Sequence, residues 1–116
     1  MEPETTTQAE NNSLNVGTTE DFHTQLVEAG GRLVVVHFHS DESNSSKIMV
    51  PKCKELADVH KDVLFLKVDI GLEDMAERYN VSMTPTFLFL KNGKEVEAIT
   101  GANERRLEHL VHKLKR

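Results

Sequence analysis

The chain has 116 residues and a net charge of −5, with 38% hydrophobic and 28% charged residues. That length suits one domain with a single α/β core, and the acidic balance excludes a nucleic-acid or anionic-membrane surface as the expected partner. No apolar run approaches the roughly 20 residues of a membrane-spanning helix. Residues 1–12 are rich in Thr, Glu, Asn and Gln and lack any aromatic or β-branched aliphatic residue. They cannot offset their own ordering entropy, so they read as a disordered acidic and polar tail ahead of a domain spanning 13–116. The start also lacks the basic and apolar regions of a secretory leader. The single cysteine, Cys53, cannot form an intrachain disulfide, and this fits a reducing compartment: the cytoplasm, with the nucleus as a further location.

Leu14 to Val16 is a short strand. Thr18 or Thr19 then caps a helix with Phe22, Leu26 and Val27 on its inner face, ended by Gly30-Gly31. Leu33 to His39 is a strand whose β-branched run signals burial on both faces. After a polar loop, a helix runs from Ser46 to about His60, with Met49, Val50, Cys53, Leu56 and Ala57 inward and Pro51 removing one backbone bond. Val63 to Asp69 is a further strand, followed by a short helix with Met75, Ala76 and Tyr79 inward. Thr86 to Leu90 and Glu95 to Thr100 flank Asn92-Gly93, the strongest short hairpin signal. Asn103 caps a last helix in which Leu107, Leu110, Val111 and Leu114 recur at helical spacing. The order is β-α-β-α-β-α-β-β-α, and crossover helices make the first three strands parallel. The expected fold is therefore α/β: a three-layer α/β/α arrangement around a mixed central sheet.

The stretch Val34-Val35-Val36-His37-Phe38, the polar loop from Ser40, Lys47 and then Pro51 resemble the thioredoxin family. That family's pattern is an apolar strand, Asp-Phe, a short spacer, Trp-Cys-Gly-Pro-Cys-Lys and a helix proline. The register fits without a gap. Ser82-Met83-Thr84-Pro85-Thr86-Phe87 is similar to the family's segment around its cis-proline, and Gly101-Ala102-Asn103 to its turn into the last helix. The resemblance covers roughly 13–116 and implies the thioredoxin fold. Val36-His37-Phe38 is also similar to the thioredoxin-like N-terminal domain of multidomain monothiol glutaredoxins, where a histidine can occupy this strand position.

The same register places Ser43 and Ser46 at both redox-cysteine positions. Disulfide exchange needs an attacking thiolate and a resolving thiol, and a hydroxyl supplies neither. Asp41 and Glu42 put negative charge where a thiolate would need stabilising, the tryptophan is missing, and His37 stands at the family's buried-acid position. Ser43 has no Gly-x-Ser-x-Gly elbow and reads as a helix N-cap or a loop hydroxyl. Cys53, on an apolar helical face, reads as a small buried hydrophobe. His37 and His39 share a strand face, yet with Cys53 they lack a fourth ligand at diagnostic spacing, so no metal and no cofactor is expected.

The expectation is a redox-inactive thioredoxin-like domain, not an enzyme, that binds protein partners. The resemblance implies a groove formed by Glu42, Ser43, Asn44, Ser45, Ser46, Met83, Thr84, Pro85 and Ala102, where an extended segment pairs with backbone. The chain is expected as a monomer or weak dimer. The alternative is a thioredoxin-type protein-disulfide oxidoreductase in cell redox homeostasis, either a monothiol protein using Cys53 or a Cys-to-Ser form of a dithiol enzyme.

Overall fold

The computed structural model describes residues 12–115. The expectation of a disordered tail falls on residues outside that range, apart from Asn12. Asn12 belongs to the fold. Its side-chain amide donates to the carbonyls of Ala57 (2.9 Å), His60 (3.1 Å) and Val63 (2.7 Å), and its own carbonyl accepts from Phe65 N–H at 2.7 Å.

In chain order the elements are β1 (Ser13–Val16), α1 (Thr19–Ala29), β2 (Val34–His39), α2 (Asn44–Val59), β3 (Leu64–Asp69), α3 (Glu73–Arg78), β4 (Thr86–Lys91), β5 (Lys94–Thr100) and α4 (Glu104–Leu114). This is the order expected from the sequence. The strands form one sheet in the order β1-β3-β2-β4-β5, parallel across β1-β3-β2 and antiparallel across β2-β4-β5. The hairpin turns through Asn92 and Gly93, both at positive φ (53° and 79°), the conformation a two-residue turn of this hand requires. A bulge in the β4–β5 pairing skips Val96, which is left partly exposed.

Because strand side chains alternate, the central strand β2 feeds two cores. Val35 joins Met49, Cys53 and Leu56 of α2 and Leu107, Leu110 and Val111 of α4 on one face. Val34, Val36 and Phe38 join Phe22 of α1 and Met75 of α3 on the other. Val27 departs from expectation: it is 80% exposed, and Ala29 is buried instead. At 3.6 residues per turn Ala29 lies about 20° from Phe22 around the helix, whereas Val27 lies about 140° away. Ala76 and Tyr79 are only partly buried against the second core. Val50, expected inward, is only half-buried.

The helix expected from Ser46 begins two residues earlier, at Asn44, because Ser43 caps it: Ser43 Oγ accepts from Ser46 N–H at 3.1 Å. Thr18 and Asn103 act likewise for α1 and α4, accepting from Asp21 N–H and Arg106 N–H, each at 3.0 Å.

Candidate functional site

Three loops converge at one end of the sheet, and strand pairing brings them there. In the β2–β4 ladder Phe38 lies opposite Thr86, so the loop leaving β2 (40–43) and the loop entering β4 (82–85) sit side by side. In the β4–β5 ladder Thr86 lies opposite Thr100, which adds the turn at 101–102, and Gly101 N–H donates to the Pro85 carbonyl at 2.8 Å. Ile70 N–H donates to the His39 carbonyl at 2.8 Å, bringing the end of β3 to the same place. Residues spread over 60 positions in the sequence thus share one surface.

The β2–α2 loop is tightly bonded. Glu42 N–H donates to Ser40 Oγ at 3.2 Å, Ser43 N–H to the Ser40 carbonyl at 3.0 Å, and Lys47 N–H to the Ser43 carbonyl at 3.1 Å. Ser43 Oγ is engaged as the cap of α2 and, among the described residues, bonds no histidine nitrogen, so the hydroxyl has no base to activate it. Glu42, Asn44, Ser45 and Ala102 are exposed and Ser43 and Thr84 half-buried. Met83 is 56% exposed, a large apolar side chain in water beside polar loops. Its carbonyl accepts from Thr86 Oγ1 at 2.7 Å, and the Thr84–Pro85 peptide bond is cis.

Two residues assigned to the groove from the sequence offer no side-chain surface. Ser46 is 1% exposed and Pro85 is buried. Ser46 faces inward because the helix starts at Asn44 and turns this position toward the sheet, and its Oγ has no hydrogen-bond partner among the described residues. The two serines therefore differ. Ser43→Ala should cost about 1 kcal/mol through loss of the cap. Ser46→Ala should be neutral or stabilising, since it removes a desolvated hydroxyl that bonds nothing. Urea denaturation of the two variants checks the contrast.

Beneath the loops lies His37, 4% exposed, stacked on Phe87 with ring centroids 4.6 Å apart and tilted by 19°. Burial lowers its pKa to about 3, with repulsion from His39 and Lys67 adding to the effect. The ring is thus neutral at ordinary pH and acts as packing. His39, half-buried, is also shifted down, mainly by burial and then by Lys67, against the opposing pull of Asp69 and Asp41. Cys53 is 7% exposed and burial pushes its thiol up to about 12, Lys67 opposing. A thiol so placed is not ionised at ordinary pH, and it lies below the loops, not among them.

Lys67 is the residue that sequence reading missed. It pairs with His37 across β2–β3 and influences both His37 and Cys53. Its signal was present: in Val63 to Asp69 it is the one polar residue inside an apolar run, on the strand face it shares with Phe65 and Asp69.

Comparison with known proteins agrees with this geometry. The chicken (Gallus gallus) thioredoxin is 38% identical over 101 residues, covering 86% of this chain and 96% of that protein. The TPR repeat-containing thioredoxin TDX of Oryza sativa subsp. japonica is 39% identical over 101 residues, a match spanning 84% of this chain and 32% of the rice protein. Among solved structures, Nicotiana alata thioredoxin NaTrxh superposes with a TM-score of 0.87 at 29% identity, over 91% of this chain and 95% of that one. Fasciola hepatica thioredoxin gives 0.82 at 36% identity, over 85% and 96%. The thioredoxin family model matches residues 13–116, from β1 through α4, so this chain, with its one cysteine remote from the convergent loops, belongs to the thioredoxin family.

Proposed function

We propose that this chain is a redox-inactive thioredoxin-like domain that binds protein partners, in a reducing compartment, through the loops at the end of the sheet. The observation that carries the reading is the contrast between two parts of one surface. Ser43 and Ser46, at the N-terminus of α2, bring no sulfur, and one is spent on capping while the other is buried. Met83, by contrast, is held outward beside the cis Thr84–Pro85 bond, an apolar contact for an extended segment lying along the 82–85 loop. Exposed Asp41, Glu42, Asn44 and Ser45 rim it with polar side chains, as in protein interfaces generally.

Reduction of insulin disulfides in the presence of a thioredoxin reductase tests the chemical half. The expected rate equals that of the blank without this chain, and Cys53 should resist alkylation until the protein is unfolded. Disulfide reduction that disappears in Cys53→Ala would establish the monothiol alternative. For the binding half, an extended-peptide library screened against the folded chain should yield ligands that Met83→Glu weakens at least about tenfold. Ligands indifferent to that change would place binding elsewhere.

A further inference from the structure

A cavity of about 150 Å³ opens beside the kink-prone segment of α2, lined by residues of β1, β2, β3 and α2. It is separate from the loops at the sheet end. Val50, Cys53 and Phe65 give it an apolar wall, and His37, Lys54 and Lys67 give it polar groups. Among the described residues, no carboxylate lines it. Neither lysine forms an ion pair among the described residues, although Lys52 and Lys115 on the same side of the molecule do. The His37 ring borders the cavity, and its buried Nε2 has no hydrogen-bond partner among the described residues.

We propose that this cavity binds a small organic anion: a monocarboxylate with a compact apolar body. Its carboxylate would meet the ammonium groups of Lys67 and Lys54 beside the His37 ring, and its body would rest on Val50, Cys53 and Phe65. The size is appropriate. An engineered apolar cavity of about 150 Å³ accommodates a benzene ring. Here the polar side of the cavity adds a place for the charged group, and a charge-assisted contact to lysine favours an anion over a neutral molecule of the same shape.

Benzoate is the test ligand and benzamide its neutral counterpart, titrated at constant ionic strength into the isotope-labelled chain. Benzoate should produce saturable amide shifts centred on Cys53, Lys54, Phe65 and Lys67, with a Kd on the order of 1 mM. Benzamide should bind at least about tenfold more weakly, and Lys67→Met should weaken benzoate by a similar factor. Lys54→Gln, at an exposed position, supplies the same test if Lys67→Met fails to fold. Absence of saturable shifts, shifts centred elsewhere, equal binding of benzamide, or benzoate binding indifferent to loss of lysine charge would each overturn the proposal.

Discussion

Replacing Phe87 with alanine should lower the unfolding free energy by about 3–5 kcal/mol, a large part of the stability of a domain this size. Phe87 is fully buried in β4, in the core that α2 and α4 cover. It lies opposite His37 in one ladder and Ile99 in the other. Truncation removes the apolar area of the ring and leaves a void that residues held by the central strands cannot collapse to fill. It also takes away the stacking surface of the His37 ring, leaving a polar ring against empty space. The urea midpoint should fall sharply with the slope of the transition unchanged. Val27→Ala is the control: Val27 is equally apolar in sequence but exposed, and its loss should fall within about 0.5 kcal/mol.

Acidification should destabilise the fold well above the range where carboxylates titrate, and His37 is the reason. Its pKa is about 3 in the folded chain against 6.5 when unfolded, because burial opposes the charged ring and His39 and Lys67 repel it. Above 6.5 both states hold it neutral and its contribution is constant. As the pH falls below 6.5 the unfolded state takes up the proton and the folded state does not, so stability declines by up to roughly 1.4 kcal/mol per pH unit and levels off near the folded pKa. Between about pH 7 and about pH 5 the loss comes to about 2 kcal/mol. Among the described residues, the titratable groups near the ring are His39 on β2, Lys67 on β3 and Cys53 and Lys54 on α2, with Phe87 of β4 stacked on it, and none of them is a carboxylate. Asp69 and Asp41 act on His39 instead. His60 is lowered as well, by burial first, so it steepens the same decline. Comparing urea midpoints of the native chain and His37→Val at the two pH values isolates the His37 share. A slope unchanged by His37→Val, or a ring that titrates near 6.5 by NMR, would contradict the assignment.

Both predictions depend on how much the sequence settles by itself. Strand β2 was legible because Val34, Val35, Val36 and Phe38 put apolar side chains on both alternating faces, which only a central strand tolerates. The hairpin was legible because Asn92-Gly93 tolerates two successive positive φ values. The helix stripes followed from spacing wherever the stripe was long, as in α4, where Leu107, Leu110 and Val111 all reach the core. The absence of a dithiol at the α2 N-terminus follows from residue identity alone, whatever the fold does.

Other features waited on the tertiary structure. Val27 and Ala29 are both apolar and two residues apart, and which one is buried depends on how α1 lies on the sheet, a long-range matter that local pattern does not encode. Ser43 and Ser46 have identical side chains, but only the starting point of α2 decides that one caps and the other is buried. Asn12 looked like tail because its composition is polar. Its side chain earns a place in the domain through carbonyls of residues 57, 60 and 63, which are distant in sequence. The cavity beside His37 required β1, β2, β3 and α2 to assemble before Lys67 could come near Cys53. Sequence thus determines periodicity, turns and chemical inventory, because these are local properties of the chain. Which polar groups end up desolvated, and beside what, is decided by contacts between residues far apart in it.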